Sequence, residues 1–248
     1  MTTRLHSSYR LQRRLISSRK VWEQLGIIGQ KSGSQCRYFY KFGQLDAALS
    51  FDQRVPAVVR SCFFRVRSLS KVRSYLTRKA ANSIAASLIL SKLDYCNSLL
   101  AGLPQTQIKR LQAAQNAAAR TVTKCRKTDY LTPILRQLHW LPVHDSIHHK
   151  VLSAAYPSVD GNAPLYLSEL FHFYTPSRPL RSASRSLLDV PRPRDSKTKR
   201  YGQLAFRYVV PSLWNALPGG IRESDSIQSF KASLKTDFFN YNWKPSQS

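Results

Sequence analysis

The amino-acid sequence predicts a mainly α protein: a helical bundle followed by a smaller α+β, Pro-rich C-terminal segment. Apolar residues recur at steps of three and four between residues 77 and 155, which is the period of amphipathic helices. Apolar residues make up 42% of the 248 residues, so the chain can bury a core. Pro and Ser accumulate between residues 174 and 194, where residues 180–190 are a candidate hairpin.

Two central helices are predicted from their boundary signals and their apolar stripes. Thr77 caps a first helix that continues to Leu99 and ends at Gly102 and Pro104. A second helix follows at once, and its alanines favour helix formation. Its expected inward stripe consists of Ile108, Leu111, Gln115, Ala118 and Val122. Because the connection is short, we expect the two helices to pack antiparallel.

Prolines mark the boundaries of two further helices. Pro133 begins a short helix that extends to Leu138. Pro142 begins another, which Pro157 and Gly161 are expected to end. The segment HWLP joins the two helices.

The last third of the chain contains one ambiguous segment and one clear helix. Residues 201–217 form either a helix or a strand–helix unit, and Pro211 argues against one long helix. Ser226 caps a final amphipathic helix with Phe230 and Leu234 inward.

These patterns divide the chain into three regions. Residues 1–44 are a basic, poorly ordered leader, residues 45–160 are the helical region, and residues 161–248 are the C-terminal segment with the hairpin and the terminal helix. The leader has no acid before Glu23. Its composition resembles that of a mitochondrial transit peptide, and the alternative is a basic leader without a targeting signal. The predicted location is intracellular: nuclear or cytoplasmic, with mitochondria as the alternative.

Charge is the strongest functional signal in the sequence. The chain has 39 Lys and Arg against 13 Asp and Glu, a net charge of +26. The first 150 residues hold 26 of these cations and 6 acids, which leaves +20 in that part. Such an imbalance favours a polyanionic partner, and nucleic acid is the usual one. We therefore predict RNA or DNA backbone as the partner.

The candidate binding residues lie on and after the second helix. Four of them, Lys109, Arg120, Lys124 and Lys127, recur at spacings near whole helical turns, which suits a regularly charged phosphate backbone. The alternative is a solvated helix face without a partner. The predicted nucleic-acid-binding residues are Lys109, Arg110, Arg120, Lys124, Arg126 and Lys127.

Other kinds of site receive little support from the sequence. No apolar run reaches the length of a membrane span, so no membrane partner is predicted. The four cysteines are far apart and predict reduced thiols instead of a zinc knuckle or a disulfide scaffold. His144 and His148 have a permissible metal spacing, but Asp145 is the sole nearby carboxylate, and titrating histidines on a helix are the favoured interpretation. We predict no catalytic residue, no cofactor and no small-molecule ligand.

A series of ordered motifs resembles one known family. The motifs are LDYCNSLL at 93–100, GLP at 102–104, LQ at 111–112, QNAAAR at 115–120, LHWLPV at 138–143, APLYL at 163–167, RPLRS at 178–182, VPR at 190–192, PSLWNALP at 211–218 and SFK at 229–231. In this order and spacing they resemble the C-terminal part of reverse transcriptases from LINE-type, non-LTR retrotransposons. The resemblance extends from about residue 45 to about residue 239 and leaves residues 1–44 outside.

The resemblance implies a thumb and a post-thumb segment without a catalytic centre. In that family the helical thumb grips the template–primer backbone, and paired palm aspartates bind the two metal ions used in nucleotide addition. No Tyr-x-Asp-Asp or Phe-x-Asp-Asp motif occurs in this chain, and Asp94 lies in the thumb-side motif. Magnesium would be needed only by the missing palm. The chain departs from the family pattern at residues 156–158, where Pro157 interrupts an expected helix.

The predicted function is that of a fragment of a retrotransposon RNA-directed DNA polymerase, not an enzyme on its own, with residual non-specific nucleic-acid binding. One alternative is a domesticated basic interaction module, mitochondrial if the leader is an import signal. Others are an active polymerase fragment, against which the missing aspartate pair argues, and a non-functional remnant that does not fold stably.

Overall fold

The computed structural model describes residues 54–95, 97–175, 186–191 and 206–241, and these are mainly helical, which confirms the predicted mainly α class. The leader predicted over residues 1–44 lies outside the described residues. In chain order, the α-helices are α1 (Arg54–Val72), α2 (Arg78–Ala85), α3 (Ser91–Asp94), α4 (Gln105–Thr123), α5 (Leu131–Gln137), α6 (Val143–Val159), α7 (Leu165–Ser168), α8 (Phe206–Asn215), α9 (Gly219–Arg222) and α10 (Ile227–Tyr241).

The chain divides into two compact units. The described residues of the first unit fall within 46–153 and 216–248, and those of the second within 154–215. The limits predicted from the sequence, 45–160 and 161–248, stay a prediction. None of the described helices combines the length and the apolar character needed to cross a membrane.

The core of the first unit forms where α1 packs along α4. The two helices meet through small and medium-sized side chains, which allows close approach. α1 buries Val55, Cys62, Val66 and Leu69. The whole stripe predicted for α4 is buried, including Gln115, which is 4% exposed. Cys62 is a free thiol in this core.

The helix that begins after Thr77 has the predicted start and an earlier end. Thr77 Oγ1 accepts a hydrogen bond from the Ala80 N–H at 3.2 Å, which confirms the cap. The helix then passes through a π-helical turn, Ala86–Leu90, and ends with α3 at Asp94. The prediction that it continues to Leu99 was wrong, because Tyr95 is extended (ψ 113°) and a 3-10 turn follows at Asn97–Leu100.

Both prolines that were expected to interrupt helices lie inside them. α6 continues through Pro157 to Val159, and α8 continues through Pro211 to Asn215. A proline inside a helix removes one backbone hydrogen bond and crowds the preceding turn. Burial on the same turns offsets that cost, since Tyr156 is 3% exposed and Val210 is fully buried. Sequence rules about proline were therefore overridden by packing in both places.

The second unit contains the end of α6, α7 and α8, together with an irregular segment at residues 186–191. An isolated antiparallel bridge joins Phe173 to Leu188. Most of the hairpin predicted over residues 180–190 lies outside the described residues. The part of the C-terminal segment that the structure describes is helical apart from this bridge, so a β component is not established.

The terminal helix α10 begins as predicted. Ser226 Oγ accepts a hydrogen bond from the Ser229 N–H at 3.2 Å, which confirms this cap. Phe230 and Leu234, four residues apart, are both completely buried. The predicted inward face of α10 is therefore correct at these two positions.

Candidate nucleic-acid interface

α4 positions the first two predicted binding residues. Its buried stripe fixes the rotation of the helix, so the side chains between the stripe positions point away from the core. Lys109 and Arg110 follow the buried Ile108, and both are exposed. The Arg110 guanidinium donates one long hydrogen bond, 3.4 Å, to Gln107 Oε1. Two cations are therefore available to a ligand near the N-terminal end of α4.

Three more predicted residues lie at the other end of α4. Lys124 ends the helix with a left-handed backbone, φ 59° and ψ 28°. A side chain in this region costs about 1 kcal/mol relative to glycine. Arg126 and Lys127 are exposed in the turn that follows, and the Arg126 N–H donates to Asp129 Oδ2 at 2.7 Å. The turn is thus shaped by a carboxylate that leaves the three side-chain cations exposed.

Arg120 lies differently from the other predicted residues. Its side chain is half-buried, and Nη2 donates to the carbonyl of Lys127 at 3.1 Å. Its Nε is buried without a hydrogen-bond partner among the described residues. Arg120 therefore stabilises the turn that carries Arg126 and Lys127. Its guanidinium is less accessible to a ligand than the sequence predicted.

The five exposed cations form two groups, one near the start of α4 and one at its C-terminal end and in the turn that follows. Lys109 and Lys124 are 15 residues apart, which corresponds to about 22 Å along the helix axis. One strand of a duplex carries about six phosphates over that length. No carboxylate of the described part lies within ion-pair distance of Lys109, Arg110, Lys124 or Lys127. These charges are consequently uncompensated by the described residues.

Arg73 supports this surface, and sequence reasoning missed it. The side chain is 9% exposed and lies under the C-terminal end of α4. Its guanidinium donates to the carbonyls of Val122 (2.6 and 3.0 Å), Thr121 (3.2 Å) and Leu76 (2.7 Å). The bonds to Thr121 and Val122 satisfy carbonyls of the last turn of α4, which lack intrahelical partners. Nothing in the sequence distinguishes Arg73 from its basic neighbours.

The motif around Asp94 forms a polar junction in which Asn97 is buried, Ser146 is half-buried and Asp94 is exposed. The Asn97 amide donates to Ser146 Oγ (3.1 Å) and to Asp94 Oδ1 (3.4 Å), and Ser146 Oγ donates to the same carboxylate oxygen at 2.9 Å. Desolvation raises the pKa of Asp94, and the Ser146 hydrogen bond together with the charges of Lys150 and His149 opposes the shift. The junction connects the end of α3 to α6 and borders a cavity of about 230 Å³.

The junction is a set of contacts between neighbouring helices. Ser146 Oγ donates to the Asp94 carboxylate, and His149 Nε2 lies 3.3 Å from the carbonyl oxygen of Lys231. Asp94, Asn97 and Ser146 thus connect the end of α3 to α6.

Two glutamines of α4 hold the LHWLPV segment. The Gln115 amide donates to the carbonyl of Leu141 at 2.8 Å, and Gln112 Oε1 accepts the Val143 N–H at 2.8 Å. The Gln112 amide in turn donates to Gln115 Oε1 at 2.9 Å. The LQ and QNAAAR motifs thus bind a backbone segment that leads into α6.

The same segment ends α5 through a Schellman motif. The Trp140 N–H donates to the carbonyl of Leu135 at 2.9 Å, and the His139 N–H donates to that of Arg136 at 3.0 Å. His139 adopts the left-handed conformation, φ 57°, a position usually occupied by glycine. Trp140 and Leu135 are both buried, as the motif requires. The LHWLPV motif therefore has a structural role.

The histidines of α6 pair with each other. The rings of His144 and His148 have centroids 4.1 Å apart, and His144 Nδ1 lies 3.3 Å from Asp145 Oδ1. Within the residues that the structure describes, no group of three metal-ligating side chains comes together. Burial, and after it the charge of His144, lowers the pKa of His148 from 6.5 to about 4, while Asp145 opposes the shift.

We expect His148 to make the protein sensitive to mild acid. Its pKa is lower in the folded chain than in the unfolded chain, so folding favours the neutral ring, and stability is lost as the pH falls from 6.5 towards 4. Between about pH 7 and about pH 4.5, wild type should lose about 1.5 kcal/mol more than His148→Gln, a figure discounted for partial exposure. Urea unfolding at the two pH values measures this difference.

The matched control is His172→Gln, because His172 is an exposed histidine outside this cluster. It should follow wild type at both pH values. An equal acid loss in wild type and in His148→Gln would contradict the assignment to His148.

Comparison of the chain with protein-family models, with curated proteins and with solved structures finds no match. The resemblance to LINE-type reverse transcriptases therefore depends on the sequence motifs alone. The structure gives several of those motifs hydrogen-bonding and packing roles.

Proposed function

We propose that this chain binds nucleic acid non-specifically along the phosphate backbone. The observation that carries the proposal is a set of exposed cations at the two ends of α4 that have no ion-pair partner among the described residues: Lys109 and Arg110 at one end, Lys124 and Lys127 at the other. Together with a net charge of +26, they attract a polyanion. Arg126 adds a fifth cation, and Arg120 supports the turn that presents it.

The chemistry of this surface favours backbone contacts over base reading. Cations that each neutralise a phosphate release condensed counterions, and this gain does not depend on sequence. Specific readout needs side chains such as Asn, Gln and bidentate Arg aimed at base edges. Gln112 and Gln115 are already engaged with each other and with the backbone of the LHWLPV segment. The surface is thus suited to a duplex or a strand of any sequence.

We further propose that the chain derives from the thumb of a LINE-type reverse transcriptase and does not add nucleotides by itself. Support comes from the ordered motifs and from the absence of adjacent acidic residues in the sequence. Palm chemistry, with its metal ions, would belong to a separate part of the ancestral protein. Sequencing the genomic DNA upstream tests this origin: a frame that encodes a palm motif is expected, and an unrelated frame would contradict it.

We expect the affinity for a 20-bp duplex to fall steeply with salt. The slope of log affinity against log salt should drop by about one to two units in Lys109→Ala/Arg110→Ala, because each lost phosphate contact removes about 0.9 from it. Lys124→Gly should reduce the slope by about one unit. Glycine suits the left-handed conformation of residue 124, so this variant loses the charge without weakening the fold.

The matched control is Arg207→Ala, which removes an exposed cation from the second unit. It should leave the slope unchanged. Equal losses from Arg207→Ala and Lys124→Gly would indicate diffuse attraction instead of an interface at α4. An affinity that does not change with salt would exclude the proposed function.

A further inference from the structure

The outward face of α1 carries an aromatic residue between cations. Arg60, Phe64, Arg67 and Lys71 follow each other at steps of four, three and four, so they share one side of the helix. All four are exposed, and Phe64 is 69% exposed. We call these four residues the α1 stripe. None of them belongs to the interface at α4.

The orientation of the α1 stripe is set by the opposite side of the helix. Cys62, Val66 and Leu69 are buried against the rest of the first unit, and a rotation that buried Phe64 would expose them. Phe64 is thus held in solvent by the packing of its own helix. Most of its aromatic ring is therefore accessible to a ligand.

The charge around Phe64 selects an anionic ligand. No Asp or Glu occurs between Asp52 and Asp94, so α1 and α2 contain cations and no acids. The leader is excluded as the occupant by its own charge, since residues 1–44 hold nine Lys and Arg and one acid. A single aromatic residue also gives too small an apolar face for an interfacial membrane helix.

We propose that the α1 stripe binds single-stranded nucleic acid, with one base stacked on Phe64 and the flanking phosphates at Arg60, Arg67 and Lys71. The stripe spans about 16 Å, the length of about five stacked nucleotides. Aromatic side chains stack on unpaired bases of any sequence. Bases inside a duplex have both faces covered, so the stripe discriminates single strands from duplexes. This proposal does not rest on the interface at α4, since the two surfaces use different residues.

The test measures binding of the full chain to a fluorescein-labelled 12-nucleotide oligo(dT) and to a labelled 12-bp duplex by anisotropy. Phe64→Ala should weaken oligo(dT) binding about tenfold and duplex binding less than twofold. Phe64→Trp should bind oligo(dT) at least as tightly as wild type. Phe64→Leu keeps an apolar side chain without a ring and should behave as Phe64→Ala.

Controls separate stacking from general effects. Phe173→Ala removes a 53% exposed phenylalanine from the second unit and should leave oligo(dT) binding unchanged. Thermal melts of the Phe64 variants should lie close to wild type, since Phe64 is 69% exposed. Arg67→Glu should weaken oligo(dT) binding more than tenfold at low salt.

Three results would overturn the proposal. The first is oligo(dT) binding by Phe64→Ala at the wild-type affinity. The second is an equal loss towards oligo(dT) and duplex, which would show a backbone contact without stacking. The third is binding to phosphatidylserine vesicles that depends on Phe64 while oligo(dT) binding does not. A double variant, Lys109→Ala/Lys124→Gly, should retain the Phe64 effect, so failure of the interface at α4 stays distinguishable.

Discussion

Arg73→Met should lower the free energy of unfolding of the first unit by about 3 kcal/mol. The guanidinium donates to the carbonyls of Val122, Thr121 and Leu76, and hydrogen bonds from a charged donor contribute about 1.5–3 kcal/mol each before mutual overlap. A cation at a helix C-terminus adds a further favourable interaction with the helix dipole. Methionine fills similar space but leaves these carbonyls without a donor. Urea unfolding followed by circular dichroism measures the loss of stability.

Two further variants test whether the loss of stability comes from the buried guanidinium of Arg73. Arg73→Lys keeps the charge with fewer and differently placed donors, so it should recover about half of the stability. Arg67→Met removes an exposed arginine from the same region and should change stability by less than about 0.5 kcal/mol. If Arg73→Met matched Arg67→Met, the buried guanidinium would not stabilise the end of α4.

Helix starts were predictable because their signals are local. Thr77 and Ser226 each accept a hydrogen bond from the backbone N–H three residues later, and that geometry depends only on the first turn. The inward stripe of α4 was predictable for a similar reason, since a period of 3.6 residues identifies one face. The exposure of Lys109 and Arg110 follows from the same periodicity.

Helix ends and interruptions were predicted less well because tertiary contacts decide them. Pro157 and Pro211 lie within helices whose neighbouring side chains are buried. His139 ends α5 in a left-handed conformation that a sequence rule assigns to glycine. The burial of Trp140 favours this ending, and no local pattern announces it.

The candidate interface was likewise predictable where local periodicity decides and unpredictable where tertiary contacts decide. Periodicity placed its cations on the surface, but it gave Arg120 the same role as Lys124. The structure instead has the Arg120 guanidinium bonded to the carbonyl of Lys127. Such a contact depends on how a turn folds back on its helix, over a separation of seven residues, and side-chain type alone does not encode it.

Several of the motifs that resemble LINE-type reverse transcriptases connect distant backbone segments. Gln115 binds the carbonyl of Leu141, and Asn97 bonds to Ser146. Asn215 Oδ1 accepts the Leu188 N–H and its amide donates to the Leu188 carbonyl, each at 2.8 Å. Side chains of this kind have few acceptable replacements, because a buried backbone group must keep its partner. These side chains of the motifs thus have structural roles, and the proposed binding depends on exposed cations instead.

Trp214→Ala should be the most damaging single change in the second unit, with a loss of about 4 kcal/mol. The side chain is 1% exposed, its Nε1 donates to the carbonyl of Ser186 at 3.0 Å, and its ring contacts Tyr156. Truncation leaves a large cavity and an unpaired carbonyl. Hydrogen exchange at the Leu188 N–H, which is held by Asn215, should accelerate more than a hundredfold.

Two milder variants separate the stability lost to the cavity from the stability lost with the Trp214 hydrogen bond. Trp214→Phe keeps most of the ring volume and loses the N–H, so a loss of about 1–2 kcal/mol is expected from the unpaired carbonyl of Ser186. Ser212→Ala alters an exposed position on the same helix and should cost less than about 0.5 kcal/mol. The contradicting result is a Leu188 N–H that exchanges at the wild-type rate in Trp214→Ala. In that case Trp214 and Asn215, which belong to the PSLWNALP motif, would not hold residues 186–191 in place.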